Sequence, residues 1–320
     1  MNLTQVSQLS HALKQNIRTV ILGKDEIIEK IILSLFCAGH ILLEDIPGTG
    51  KTTLAKALAK SLDCSFVRVQ FTPDLLPSDL TGINFYDQKT GDFRLKKGAA
   101  FTNILLADEI NRATPRTQSS LLECMEEGQI SVDGTTYPLD SLFLVIATQN
   151  PIETQGTFPL PEAQLDRFLF KLSIGYPDLQ SEKSMLTTYT VDSPLSGLKA
   201  VASASDIIQA QQAVRTVTVA DPVKQYLMEI ITATRNHEKI RLGASPRGSL
   251  ALLHAAQACA AINGRSYVLP DDIKKICPDV LNHRIIAKGY QVTQSSSSNS
   301  DLIQQILSQV PVPTENIDES

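Results

Sequence analysis

The chain has 320 residues, 42% of them hydrophobic and 20% charged, which is typical of a globular protein. This length exceeds one average domain, so we expect a large domain with a smaller companion. The 29 basic and 34 acidic residues give a net charge of −5, which argues against binding driven by nucleic-acid phosphates. No apolar run approaches the roughly 18 residues of a membrane span. Scattered cysteines and the absence of a signal-peptide pattern predict a cytoplasmic protein with no membrane partner.

The first hundred residues alternate between helical and strand patterns. Apolar residues at helical spacing predict amphipathic helices over 3–20 and 27–36, the second ending at Gly39. A short apolar strand at 41–43, a glycine-rich turn and an alanine-rich helix from Thr52 follow directly. The order strand, turn and helix is the structural context that a phosphate-binding loop requires.

Four further apolar runs predict buried parallel strands, at 65–71, 104–107, 142–147 and 168–174. Two segments interrupt this alternation. Residues 83–86 and 92–95 flank a turn at 89–91, and residues 130–132 and 135–137 flank Asp133-Gly134, a strong hairpin-turn signal. Both are therefore predicted to be β-hairpins inserted into an α/β scaffold.

Helical patterns dominate after residue 177, over 181–189, 205–214, 221–234, 245–262 and from 270 onward. Asp221-Pro222, Ser245-Pro246 and Leu269-Pro270 resemble helix caps followed by a first-turn proline. The serine-rich segment 294–300 has the composition of a flexible linker, and Leu302, Ile303, Ile306 and Leu307 predict a short helix after it. This part of the chain is predicted to form a smaller helical domain.

The glycine-rich turn carries the chemistry of phosphate binding. Gly48 and Gly50 lack side chains, so backbone N–H groups can close around phosphate oxygens. Lys51 supplies charge for the β- and γ-phosphates of ATP, and the Thr52 hydroxyl is a ligand for Mg²⁺. Asp45 stands where the strict pattern has glycine, so its carboxylate must point away from the triphosphate. The predicted phosphate site comprises Pro47, Gly48, Thr49, Gly50, Lys51, Thr52 and Thr53.

Asp108 and Glu109 directly follow the strand at 104–107. In open α/β sheets ligands bind at the carboxyl ends of the strands, so both carboxylates are predicted to reach the phosphate loop. Asp108 can hold Mg²⁺ through its water shell, and Glu109 can orient and deprotonate the attacking water.

Four later motifs accompany the phosphate loop in a fixed order: ADEINR at 107–112, ATQNP at 147–151, LPEAQLDRF at 160–168 and GASPR at 243–247. Together they resemble the MoxR group of AAA+ ATPases from about residue 23 to residue 284. The resemblance implies a five-stranded αβα core with two hairpin inserts, a smaller all-α lid and assembly into rings, usually hexamers. It divides the chain into an N-terminal helix (1–22), the P-loop AAA+ core (23–176), the lid (177–290) and a flexible tail (291–320).

The resemblance also assigns roles to single residues. Asn150 matches sensor 1, or is simply a turn-former before Pro151; Arg247 matches sensor 2, or is a surface arginine. Arg167 matches the arginine finger that acts on a neighbouring subunit's nucleotide, the alternative being an ion pair with Asp166 or Glu162. Gly23 and Lys24 match the adenine-side segment. Asn111 and Arg112 could read nucleotide state across the subunit boundary or be a structural pair.

The sequence thus predicts a ring-forming ATPase that uses ATP and Mg²⁺ to remodel a protein partner. The family resemblance implies that this partner has a von Willebrand A-type domain. A slow nucleotide-gated scaffold and a hairpin-bearing nucleic-acid motor are the two alternatives, and a chelatase-type ring is a close relative of the main interpretation. The set Glu109, Asn150 and Arg167 argues against the scaffold. The acidic net charge argues against a nucleic-acid motor. The expected lack of interleaved aromatic and basic residues on both hairpins argues against it as well.

Overall fold

The computed structural model describes residues 1–151, 155–189, 194–288 and 297–313, with the side chains of 297 and 298 excepted. The chain forms two compact units, a sheet unit of residues 9–209 and a helical unit of residues 1–8 with 210–320. Within the described residues no helix is both long and apolar enough to cross a membrane. The predicted division at residue 177 remains a prediction.

Among the described residues up to 214 there are nine α-helices and nine strands, and α1 and α9 cross the boundary between the units. In chain order these are α1 (Leu3–Arg18), α2 (Asp25–Phe36), β1 (Ile41–Glu44), α3 (Lys51–Ser61), β2 (Phe66–Gln70), α4 (Pro77–Thr81), β3 (Gly82–Asp87), β4 (Asp92–Lys97), β5 (Ile104–Asp108), α5 (Pro115–Glu127), β6 (Gln129–Val132), β7 (Thr135–Pro138), β8 (Leu144–Gln149), α6 (Glu162–Leu165), β9 (Phe170–Leu172), α7 (Leu179–Thr188), α8 (Pro194–Gly197) and α9 (Ala204–Val214).

Five of these strands form one parallel sheet in the order β2-β5-β8-β1-β9, which confirms the predicted α/β core. The central strands β5 and β8 are buried along almost their whole length, as their continuous apolar sequences require. All five strands are parallel, so β1, β5 and β8 end at the same edge. The phosphate loop, the acidic pair and Asn150 follow these three neighbouring strands, and the fold therefore brings them together.

The two inserted hairpins are also confirmed, as β3 with β4 and β6 with β7. They contact each other through Asn84 Nδ2, which donates to Asp133 Oδ2 at 3.0 Å. The first hairpin differs from its sequence interpretation in one respect. Tyr86 and Phe93 are exposed and pack edge to face at 5.5 Å between ring centroids, and Arg94 lies beside them in β4. Aromatic and basic side chains are therefore interleaved on this hairpin, contrary to the expectation.

The helical unit is built from long helices with one small sheet. Its further elements are α10 (Asp221–Asn236), β10 (Ile240–Leu242), α11 (Pro246–Ile262), α12 (Pro270–Leu281), β11 (Ile286–Ala287) and α13 (Ser297–Gln309). Ser245 caps α11 as predicted, because its hydroxyl accepts from Gly248 N. β10 and β11 form an antiparallel pair that the sequence did not signal. The predicted short helix is α13, with Ile303 and Ile306 buried. Residues 297–300 of the predicted flexible linker are instead the first turn of this helix, and linker residues 294–296 lie outside the described part of the chain.

Candidate nucleotide site

The loop between β1 and α3 has the shape of a phosphate cradle. Gly48 and Gly50 adopt φ angles of 85° and 88°, which other residues reach only with strain. Gly50 is the N-cap of α3 and caps it with no side chain. The first N–H groups of α3 have no partner within the helix, so they are free to meet an anion.

Lys51 closes this loop on itself. Its Nζ donates to the carbonyl oxygen of Asp45 at 2.8 Å and to that of Ile46 at 2.9 Å. Burial lowers the pKa of the ammonium, and the charges of Asp45, Asp108 and Glu109 counter that effect. The lysine is thus held at the cradle among carboxylates, where a phosphate would offer it a stronger acceptor than two neutral carbonyls.

Asp45 is buried and turned away from the cradle, as its place in the loop requires. Its Oδ1 accepts from Ile46 N at 2.9 Å, while Oδ2 accepts from Ile174 N at 2.8 Å and Gly175 N at 2.9 Å. Three backbone donors therefore satisfy this buried carboxylate.

Asp108 ends β5 with both oxygens engaged. Arg68 of the neighbouring strand β2 donates to Oδ2 through Nε at 3.0 Å and through Nη2 at 2.7 Å. The Thr148 hydroxyl of β8 donates to Oδ1 at 2.6 Å and accepts from Glu109 N at 2.8 Å. Residues of two adjacent strands thereby fix the orientation of this carboxylate.

Glu109 has a left-handed backbone, with φ of 56°. For a residue other than glycine this conformation costs on the order of 1 kcal/mol or more, and such strain concentrates at functional sites. Its Oε2 accepts from Gln70 Nε2 at 2.8 Å and lies 3.1 Å from Nε of Arg112. Arg112, predicted to face a neighbouring subunit or form a structural pair, here pairs with Glu109 in its own chain.

A polar cavity of about 390 Å³ brings these groups together. Its lining includes most of the predicted site, namely Pro47, Gly48, Gly50, Lys51, Thr52, Thr53, Asp108, Glu109 and Asn150, together with Arg68, Gln70, Thr148 and Gln149. The hydroxyl of Thr52 and the carboxylate of Asp108 are hard oxygen donors that suit Mg²⁺. Among the described residues, no group of three or more His, Cys, Asp or Glu side chains is placed to hold a metal ion.

An apolar cavity of about 540 Å³ opens on the other side of the same loop. It is lined by Val20, Ile21, Leu22, Lys24, Gly48, Thr49, Gly50, Thr53, Tyr176, Pro177, Met185, Leu186 and Tyr189. The Lys24 ammonium donates to the carbonyls of Ile174 at 2.6 Å and Tyr176 at 2.7 Å, so it supports the wall rather than projecting a free charge. Gly23 does not line this cavity, and a side chain there would meet Ser181.

The two predicted arginines do not line either cavity. Arg167 Nε lies 3.0 Å from Oε2 of Glu126 in α5, an ion-pair distance without hydrogen-bond alignment, and both side chains are partly exposed. The intrachain alternative named Asp166 or Glu162 as the partner, whereas the observed ion pair is with Glu126. Arg247 is exposed in the first turn of α11 in the helical unit. The roles of both arginines remain predictions.

Sequence reasoning missed Arg68, Gln70 and Thr148. The first two carried a signal, because polar residues alternate with apolar ones along β2 and therefore share one face. Thr148 lies in β8 within the ATQNP motif at 147–151, of which only Asn150 was assigned a role.

A glycine cradle with its lysine and a carboxylate pair at the carboxyl edge of a parallel sheet define a P-loop ATPase site. Residues 40–170 match the ATPase family associated with various cellular activities (AAA), and residues 232–306 match the AAA lid domain. The chain belongs to the MoxR family of these AAA+ ATPases. It is 39% identical to chaperone MoxR1 of Mycobacterium tuberculosis, over 94% of this chain and 81% of the relative.

Other relatives agree over similar lengths. The chain is 47% identical to YeaC of Bacillus subtilis, over 94% of both chains, and 32% identical to MoxR of Paracoccus denitrificans, over 92% of this chain and 93% of the relative. A crystal structure of a candidate ATPase from Cytophaga hutchinsonii matches with a TM-score of 0.89 at 39% identity, covering 98% of this chain and 97% of that one.

Proposed function

We propose that the protein binds ATP with Mg²⁺ and hydrolyses it to ADP and phosphate. The observation that carries this proposal is the pair of cavities on either side of one loop. Gly48, Gly50 and Thr53 line both of them, so a polar space with two carboxylates and a lysine adjoins an apolar space. A nucleoside triphosphate has this division into a charged and an aromatic end.

The residues of the polar cavity can divide the work of phosphoryl transfer. Lys51 exchanges its two carbonyl partners for phosphate oxygens, and Glu109 accepts the proton of the attacking water. Asn150 orients that water or the γ-phosphate. Mg²⁺, held by Thr52 and Asp108, would neutralise charge on the phosphates. Release of Glu109 from Gln70 and Arg112 would precede its action as a base.

A neighbouring subunit completes the site in this proposal. Arg167 supplies a guanidinium in trans within a homo-oligomeric ring, for which we propose six subunits, and Arg247 contacts the nucleotide from the lid. The family resemblance supports these roles. Partial exposure of Arg167 is compatible with them, because a neighbour can reach it.

The proposed task of the ring is to remodel or activate a protein partner. One relative bears the name chaperone, and the exposed aromatic hairpin of β3 and β4 offers a surface for such a contact. The family resemblance adds a von Willebrand A-type domain to the expected partner. Purification of the Glu109→Gln protein from its native cell with ATP, followed by mass spectrometry, would identify what it retains. Recovery of nucleic-acid enzymes in place of a protein client would contradict this task.

A nucleic-acid motor is the second candidate, because Tyr86, Phe93 and Arg94 interleave aromatic and basic groups. Asp87 lies 3.3 Å from Arg94 Nη1 and offsets its charge, and Lys97 lies over the Phe101 ring at 5.2 Å. The hairpin therefore has less free positive charge than its sequence suggests. We rank this candidate below the protein remodeller.

Two substitutions separate binding from turnover. Lys51→Ala should abolish binding of a fluorescent ATP analogue, whereas Glu109→Gln should bind it normally and release no phosphate. Lys56→Ala on the exposed face of α3 and Glu123→Gln on the exposed face of α5 make the same chemical changes away from the cavities. Both controls should behave as wild type. Wild-type phosphate release by Glu109→Gln would refute its role as the base.

A further inference from the structure

We infer that Asp45 is a positioning residue that ties the phosphate loop to the wall of the apolar cavity, and so sets the affinity for the base end of the nucleotide. This inference rests on the proposed binding of ATP. It explains why an aspartate occupies a loop position at which the strict phosphate-loop pattern has glycine.

The contacts of Asp45 span two distant parts of the chain. Oδ1 accepts from Ile46 N inside the loop, and Oδ2 accepts from the consecutive N–H groups of Ile174 and Gly175, about 130 residues later. Gly175 has a φ angle of 64°, a left-handed backbone conformation that favours glycine at this position. A buried carboxylate that accepts three hydrogen bonds holds the backbone segments that donate them firmly in place.

Lys24 holds the same segment from another direction. Its ammonium donates to the carbonyls of Ile174 and Tyr176, so the donors of this segment meet Asp45 while its acceptors meet Lys24. Oppositely charged side chains thus restrain both polar groups of one short stretch of backbone. Neither contact requires a nucleotide.

This segment leads directly into the cavity wall. Tyr176 and Pro177 line the apolar cavity, and α7 follows with Met185 and Leu186 on the same lining. The side chains of this wall are largely exposed to solvent, with exposed fractions of 73% for Tyr176 and 67% for Leu186. Packing alone therefore holds them weakly. The position of the wall therefore depends on the polar restraint at its base.

Asp45 also contacts the other end of the nucleotide site. Its carbonyl accepts from Lys51, the residue that must move to the phosphates, while its carboxylate holds the wall. In Asp45→Asn the amide keeps one oxygen but turns an NH₂ group toward N–H donors. Loss of a charge-assisted pair in a buried site corresponds to about 10-fold or more in an equilibrium constant.

The test compares ATP with inorganic tripolyphosphate, which keeps the three phosphates and lacks the nucleoside. Calorimetric titration would measure the Kd of ATP and of inorganic tripolyphosphate, each with Mg²⁺, for wild type, Asp45→Asn and Lys24→Gln. Both variants should bind ATP about 10-fold more weakly while tripolyphosphate affinity changes less than about 2-fold. Asp140→Asn removes an exposed carboxylate that caps Leu142 N at 3.0 Å away from both cavities, and it should change neither Kd.

Each of the other outcomes refutes a specific part of the proposal. Equal weakening of both ligands in Asp45→Asn, or no weakening of either, refutes the role of Asp45 in base affinity while ATP binding stands. If Asp45→Asn does not fold by circular dichroism, Lys24→Gln decides alone, and an unchanged ratio of the two Kd values refutes the inference. Failure of the wild type to bind either ligand refutes the proposed function and this inference with it.

Discussion

Arg167→Ala distinguishes an arginine that acts on a neighbouring subunit from one that only braces its own. Among the described residues, Arg167 forms an ion pair with Glu126, and the two side chains are 30% and 35% exposed. Such a pair contributes about 0.2 to 1 kcal/mol to the free energy of unfolding. Removal of a trans guanidinium from phosphoryl transfer costs on the order of 10³ in rate, equivalent to roughly 4 kcal/mol in activation free energy. The variant should therefore bind ATP, retain nearly wild-type stability and be almost inactive.

Mixing two inactive proteins turns this expectation into an assay. Arg167→Ala keeps its phosphate loop and loses its finger, whereas Lys51→Ala keeps its finger and loses nucleotide. When subunits exchange, some interfaces combine an intact loop with an intact finger, and part of the phosphate release should return. The activity of the mixture is measured against the sum of the two parents.

Glu126→Gln is the matched control, since it breaks the same ion pair and leaves Arg167 in place. A bracing role predicts that Glu126→Gln and Arg167→Ala behave alike. A trans role predicts that only Arg167→Ala is inactive. Activity equal to the sum of the parents, in mixed assemblies verified by native mass spectrometry, would return Arg167 to a structural role.

Three further expectations follow from single contacts. His40 is buried, and its Nδ1 accepts from Val145 N. Burial lowers the pKa of His40 from 6.5 to about 4. As pH falls, the imidazole is therefore protonated in the unfolded chain before it is protonated in the folded chain. This difference should lower the free energy of unfolding by roughly 3 kcal/mol between pH 6.5 and 4. Denaturant titrations of His40→Gln should lack this pH-dependent loss of stability, and an identical pH slope in that variant would contradict the prediction. Arg68 donates to Asp108 and would compete with Mg²⁺ at the proposed site. Arg68→Gln should therefore lower the Mg²⁺ concentration that half-saturates ATP binding, by up to about 5-fold, and an increase in the calorimetric titration would refute the competition. At ~100 mM salt an electrophoretic assay should detect no submicromolar binding of DNA or RNA, and a salt-sensitive shift would promote the nucleic-acid candidate.

The sheet and the phosphate cradle could be predicted because their signals are local. Short segments rich in apolar residues identified all five parallel strands, although β2 alternates polar and apolar residues and is only partly buried. Asp133-Gly134 identified one hairpin turn. The cradle is read from six consecutive residues whose geometry depends on two glycines with positive φ. Parallel strands share an edge, so the meeting of Asp108 with Lys51 in one cavity also followed from topology.

Contacts between distant segments could not be predicted in the same way. The donors that satisfy Asp45 come from Ile174 and Gly175, and nothing near Asp45 in the sequence identifies them. Arg167 was assigned nearby acidic partners, whereas packing of the chain brings Glu126 to it. Side-chain pairing between elements depends on their packed positions, which sequence spacing does not specify.

The most direct test of the account is a crystal structure of Glu109→Gln with ATP and Mg²⁺. We predict the triphosphate on the loop from Asp45 to Thr52, the adenine between Ile21 and Leu186, and Lys51 Nζ on phosphate oxygens. Asp45 should still hold Ile174. A nucleotide bound outside the two cavities, or Lys51 still donating to the carbonyls of Asp45 and Ile46 beside a bound triphosphate, would contradict the account.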